Sequence, residues 1–332
     1  MGHILPRIQQ LSAVVLLTSV LTLSESSAEA ELLKGIIEYK PLNKNMVYGT
    51  LNCKGSTNVE DLLRVWIPKF EKFYPEVRSQ LDFQGSGQGI DALTEGIANI
   101  SVSSRKIKKK ELIAFEELKG YAPTEVKVSL DALAIYVNRL NKIDEITIEE
   151  LDAIFSTSLK HGYPKPITSW NTLTNINRKI NIYLFDKNSG TRSYFRSTVM
   201  LKGDFNKENI VNDKYTKLSE VINRVANDPD GIAFGSAGSK NFKVKTLLLA
   251  KRKHFPSYKP SAKNIKKGNY PLTRFFYIYL DVPPHKTIPR LLYEFCKYIL
   301  SKDGQQGVIR AGGVPLSPKQ IGIELSKIKR DN

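Results

Sequence analysis

Hydrophobic and polar positions alternate along "KINIYLF" (residues 179–185), placing Ile180, Ile182 and Leu184 on one face, and this period of two predicts a strand. Beyond it, the spacing of Tyr194, Phe195, Thr198 and Val199 fits a helix, so the intervening "DKNSGTRSYF" (186–195) reads as a tight turn and a helix start at Ser189-Gly190-Thr191. The same order recurs earlier. "VYGTLNCKGSTNVEDLLRVWIPKFEKFYP" reads as strand, Gly55-Ser56-Thr57 turn, then an amphipathic helix carrying Leu62, Val65, Trp66, Phe70 and Phe73. "QLDFQGSGQGIDALTEGIANISVSSRKI" reads as strand, Gly85-Ser86-Gly87 turn, helix, strand and a further Ser103-Ser104-Arg105 turn. Strands and helices that alternate in this way predict an α/β protein with mixed sheets.

A turn of small hydroxylated residues before a helix aims free backbone N–H groups and hydroxyls at one point, with the positive end of the helix dipole behind them. Any one such turn is equally an ordinary N-cap. Four of them carry more weight, because the strand ends of an open α/β sheet gather at one crevice. Together they would present many donors and few acceptors, the outline of an anion site.

At the N-terminus, "LSAVVLLTSVLTL" (11–23) follows Arg7 and precedes Ala28-Glu29-Ala30, which has the small-x-small form of a cleavage site. The run falls short of the roughly 20 apolar residues of a membrane helix, so residues 1–30 are expected to be a secretory signal peptide. No Cys follows the run, and a lipid anchor is not expected. The remaining chain is long enough for two domains.

The formal charge is +17, and removing Arg7, Glu25 and Glu29 with the leader leaves 49 basic and 31 acidic residues, or +18. Such an excess favours encounter with anions. Export, and the lack of a zinc-finger spacing or an aromatic-basic ribonucleoprotein motif, argue against nucleic acid. "KIKKK" (106–110) reads as a solvated helix start. Cys53 and Cys296, one early and one late, are expected as buried free thiols, although export would permit a disulfide. The four histidines are scattered, which leaves metal or histidine-driven chemistry without support.

From about Tyr48 to Leu316 the chain resembles the periplasmic phosphate-binding proteins that serve phosphate ABC importers. The resemblance is carried in order by "GSTNVEDLLRVWIPKFEKFYP", "GSGQGIDAL", "SSRKI", "PTEVKVSLDALAIYVN", "ITIEELDAIFS" with "ITSWNTL", "SGTRSYF", "YPLTRFFYIYL" and "LSKDGQQGVIRAGGVPL". It implies a two-lobed type II periplasmic binding protein, with mixed sheets flanked by helices and the ligand in the cleft between lobes. Lobe one would be residues 31–128 and 275–332 and lobe two residues 129–274, with "LDALAIYVN" and "TRFFYIYL" crossing between them.

The resemblance further implies a phosphate site formed by Ser56 and Thr57, Ser86, Ser104 and Arg105, and Ser189, Gly190, Thr191 and Arg192. It implies no cofactor, a periplasmic location, an ABC permease as partner, and a monomer. One departure stands out: the family commonly has an arginine four residues before the serine of the second-lobe turn, and here that position is Phe185. Desolvating a dianion without a nearby cation is costly. Arg192 is the first expected replacement, against the alternative of a solvent-facing first-turn residue, with Arg105 also in a matching turn. Arg274 is expected at the hinge, and Asp131 and Asp186 as acceptors of a phosphate proton or partners of an arginine, with Asp186 equally a surface turn residue. Two other readings stay open: the same fold with a different oxyanion or phosphate ester, and a basic secreted surface protein. A phosphatase lacks a histidine or metal set to activate Ser189.

Overall fold

The computed structural model describes residue 27 and residues 29–238, 241–284 and 286–328. Most of the expected leader, residues 1–26 and 28, lies outside the described residues. No helix among the described residues is long and apolar enough to cross a membrane.

After a short 3-10 turn at Lys44–Met46 come three repeats of strand and helix: β1 (Gly49–Gly55), α1 (Glu60–Phe73), β2 (Val77–Asp82), α2 (Ser86–Thr94), β3 (Ile100–Ser103) and α3 (Lys109–Lys119). The long β4 (Thr124–Asn138) leads to β5 (Glu145–Thr147), α4 (Ile148–Phe155), β6 (Asn181–Phe185) and α5 (Gly190–Thr198). Next come β7 (Ile210–Tyr215), α6 (Leu218–Ala226), β8 (Gly231–Ser236), β9 (Val244–Thr246), β10 (Leu248–Ala250) and α7 (Ala262–Lys266). The chain ends with β11 (Thr273–Leu280), α8 (Arg290–Ile299), α9 (Lys302–Arg310) and α10 (Pro318–Lys327). Each predicted strand-turn-helix unit forms, although the third turn is separated from α3 by several residues, and the helix expected around "KIKKK" starts only at Lys109.

The strands lie in the order β2-β1-β3-β11-β4-β8-β6-β7, with β9 also paired to β4, and β5 and β10 make a separate pair. Pairing is parallel at each end of the order (β2-β1-β3 and β8-β6-β7) and antiparallel through the middle. The middle strands, β11 and β4, join the two parallel ends. β4 pairs with β11 as far as Ala132↔Thr273 and then, from Leu133, with β8 and β9. Its residues from Ser129 to Asn138 are buried without alternation, as expected for a strand covered on both faces.

In the first lobe α1 buries Leu62, Leu63, Trp66, Ile67 and Phe70, and the Trp66 indole donates to Gly304 O at 2.7 Å, tying α1 to α9. Phe70 also meets Phe295 of α8 edge to face at 5.2 Å. In the second lobe Phe195 of α5 stacks on Phe234 of β8 at 3.9 Å and 3°, with Phe155 of α4 against both. This packing fixes α5 on the sheet and so sets where its N-terminus points. In the first lobe the corresponding close fit is between β1 and α2. A Cβ on Gly89 would fall 2.5 Å from Gly55 Cα, and Gly55 itself has φ 143°, so only glycine serves at that contact. Cys53 and Cys296 are free and fully buried.

Candidate functional site

The first-lobe turns converge through their hydroxyls. Ser56 donates to Ser104 Oγ at 3.0 Å, Ser86 and Ser104 Oγ stand 3.4 Å apart, and the Ser104 amide donates to Ser86 Oγ at 3.2 Å. All three serines are buried. Ser86 opens α2, whose first amides have no carbonyl of their own helix to bond.

The second-lobe turn faces this cluster directly. Ser189 caps α5 by accepting from the Arg192 amide at 3.3 Å, which leaves the amides of the buried Gly190 and Thr191 in the first turn, at the positive end of the dipole. A Cβ on Gly190 would lie 2.2 Å from Ser86 Oγ and 2.5 Å from Ser104 Oγ. The N-termini of α2 and α5 therefore meet end to end, and only a glycine permits the approach. At the rim Thr57 Oγ1 donates across the cleft to Thr216 O at 3.0 Å, so Thr57 joins the lobes outside the serine cluster.

The positive charge comes from β11. Arg274, 4% exposed, has Nε and Nη2 each 2.8 Å from Asp131 Oδ2, donates from Nη1 to Thr191 Oγ1 at 3.1 Å, and from Nη2 to Ser236 Oγ at 3.3 Å. Ser236 also donates to Asp131 Oδ2 at 3.0 Å. Facing rings of Tyr194 and Phe276 hold the guanidinium at 5.4 and 5.2 Å from their centroids. Burial pushes the Asp131 carboxyl above its usual range, with Arg274 and the Ser236 hydroxyl pulling the other way.

The other sequence candidates are placed elsewhere. Arg192 donates from Nη1 to Phe185 O at 2.8 Å, pairs with Asp213 Oδ2 at 3.2 Å and lies over the Phe205 ring, so its guanidinium is not brought to the serine cluster. Arg105 makes a two-point ion pair with Glu111 at 2.6 and 2.8 Å. Burial raises the Glu111 carboxyl, but the Arg105 hydrogen bond and charge outweigh it and hold the group below its ordinary value. Asp186 closes its own turn by accepting from the Asn188 amide at 2.8 Å. Phe185 is buried against Phe234 in the second-lobe core.

Ser236 was not anticipated, and Arg274 was expected at a hinge. The available signal was a single charge in each of two otherwise apolar stretches, Asp131 in "LDALAIYVN" and Arg274 in "TRFFYIYL", because buried charges are rarely left unpaired. Chemically, the arrangement offers hydroxyl and amide donors together with one buried cation and one buried carboxylate acceptor. No group of three or more His, Cys, Asp or Glu side chains able to hold a metal occurs among the described residues.

Comparison with known proteins matches this architecture. The PBP superfamily domain is matched over residues 43–303. The phosphate-binding protein PstS of Pseudomonas aeruginosa is 37% identical over 298 residues, covering 89% of this chain and 91% of that protein. The PstS of Staphylococcus saprophyticus is 28% identical over 283 residues, covering 84% of each. The crystal structure of an ABC-type phosphate transport receptor from Vibrio cholerae superposes with a TM-score of 0.63 at 24% identity, covering 81% of this chain and all of that one, and so shares the fold. The chain belongs to the PBP superfamily and, within it, to the family of the phosphate-binding proteins PstS.

Proposed function

We propose that the chain is an extracytoplasmic binding protein that captures inorganic phosphate between its lobes and hands it to an ABC permease. Residues 31–128 with 275–332 form one lobe in this reading, and residues 129–274 the other. Ser56, Ser86, Ser104, Gly190 and Thr191 supply the donors, and Arg274 supplies the charge that Phe185 cannot.

The observation that carries the reading is the position of Arg274, hydrogen-bonded to Thr191 of α5 and paired with Asp131 beside the facing N-termini of α2 and α5. Asp131 gives selectivity. A monohydrogen phosphate donates its one O–H to the carboxylate, whereas sulfate has no proton to donate and meets a like charge. Closing the lobes excludes water and strengthens every remaining hydrogen bond. No chemical step is needed, consistent with a transport role for the relatives' shared fold.

The test is calorimetric titration of phosphate and sulfate into protein stripped of ligand by unfolding and refolding. One-to-one binding of phosphate that ignores sulfate and moderate salt supports the reading, and Arg192→Ala should leave the affinity within about threefold, because the Arg192 guanidinium is engaged by Phe185 O and Asp213 away from the serine cluster. Absence of phosphate heat, with binding of another oxyanion, would move the assignment to that ligand. A monomer at all phosphate concentrations in sedimentation is also expected.

A further inference from the structure

Outside the serine cluster, a cavity of about 700 Å³ opens between the lobes, lined on one side by Arg105, Lys106, Lys108 and Lys109 and on the other by Arg196 and Lys202. Arg274 and the rings of Tyr194, Phe275 and Tyr277 also line it, with hydroxyl residues between them, and among the described residues no Asp or Glu does. The three arginines have carboxylate partners: Glu111 for Arg105, Asp204 for Arg196 and Asp131 for Arg274. The four lysines have none within ion-pair distance among the described residues. The groove therefore holds an excess of four positive charges that no neighbouring side chain neutralises.

We propose that this groove is a second anion site, which takes a linear oligophosphate bridging the two lobes. Three observations favour that ligand class. First, the volume lies in the usual range for ligand pockets and far exceeds one tetrahedral anion. Second, the cations are spread over two walls, which a chain of phosphates spans and a single ion does not. Third, the inner site has no room for such a chain, because Gly190 stands against Ser86 and Ser104. The groove and the inner site nevertheless share Arg274.

Other details fit a built surface. Arg105 is 6% exposed and its Nε is buried with no acceptor among the described residues. Lys202 is presented by two successive non-glycine residues in the left-handed region, Leu201 at φ 45° and Lys202 at φ 65°. Such conformations are unfavourable for side-chain-bearing residues and persist where the surroundings hold them. Burial, and then the charge of Arg105, also depress the Lys108 ammonium pKa. With Lys106, Lys108 and Lys109 on one lobe and Arg196 and Lys202 on the other, like charges oppose closure until an anion lies between them.

The experiment titrates sodium tripolyphosphate into the protein, with and without saturating phosphate, at two salt concentrations. A companion variant, Lys106→Gln/Lys109→Gln/Lys202→Gln, removes three exposed cations that touch nothing in the inner site. One-to-one tripolyphosphate binding to phosphate-saturated protein is expected, weakening with added salt. The variant should lose roughly tenfold or more of that affinity, at a few-fold per exposed cation, while its phosphate affinity and melting temperature stay those of the parent. No binding, displacement of phosphate by tripolyphosphate, or equal affinity in the variant would each overturn the proposal. So would tighter binding of a single-stranded oligonucleotide at equal salt. The arm without phosphate reads the groove even if the inner site takes another ligand.

Discussion

Replacing Arg274 with Met removes a cation while keeping much of the side-chain volume, and three connections go with it: the pair with Asp131 and the bonds to Thr191 and Ser236. Asp131 is 4% exposed and would be left as a buried carboxylate without a counter-ion. Breaking such a pair from one side costs about 3–5 kcal/mol. Asp131→Asn added to Arg274→Met removes the orphaned charge and still offers Ser236 an acceptor, so the double variant should recover about half of that loss or more. The dependence on pH provides a second readout. Because the folded state raises the Asp131 pKa, protonation favours folding; stability falls as pH rises from the ordinary Asp value of about 3.9 through the folded one. Losing Arg274 raises the folded pKa further and carries that fall to higher pH, and Asp131→Asn abolishes it. For phosphate, losing a charged hydrogen bond worth about 1.5–3 kcal/mol means roughly 10- to 150-fold weaker binding. Urea unfolding between pH 4 and 8 and calorimetry on the four proteins of the cycle measure all of this. A single Arg274→Met variant as stable as its parent at pH 7, with unchanged phosphate affinity, would refute the placement of the charge.

Gly190→Ala puts a methyl where Ser86 and Ser104 already stand, so the lobes cannot close as they do here; phosphate binding should fall by at least tenfold, the cost of about 1.4 kcal/mol, with urea stability nearly unchanged. Glu111→Gln leaves Arg105 buried without its anion and should cost about 3–5 kcal/mol at neutral pH. Because the folded-state Glu111 pKa is lowered, its contribution is present above the unfolded value of about 4.3 and lost as pH falls through the folded one, so parent and variant should converge in acid. Burial pushes the Cys296 thiol up to about 12 and the Cys53 thiol higher, so neither should react with a thiol reagent at neutral pH until the protein unfolds, when two should react.

The strand-turn-helix units were legible because their signals are local: the alternation through Ile180, Ile182 and Leu184, the small turn residues after each strand, and, at the second-lobe turn, the Ser189 hydroxyl that caps the following helix. The convergence of Ser56, Ser86 and Ser104 was legible too, since turns that follow neighbouring parallel strands end on the same side of the sheet. What was not legible is which cation those turns face. Arg192 adjoins the turn in sequence, yet the helical rotation after Gly190 swings it toward Asp213 and Phe205. Arg274 is 83 positions from Thr191 and reaches it only because β11 pairs with β4, bringing Asp131 opposite it in the register. Ser236 enters the same way, at the end of β8 opposite Leu133. Long-range register is a property of the folded sheet that no local period records.

The central position of β11 also has a bearing on how the protein is made. β3 is fully buried, yet its partner on the inner side is a strand that leaves the ribosome only when residues 273–280 do. Until then the first three strands form a sheet with an open, unpaired edge, and β4 has no neighbour along its first half. Such edges invite pairing with other chains. The N-terminal portion therefore cannot mature ahead of the rest, and a chain truncated before β11 should aggregate rather than yield a half-sized domain.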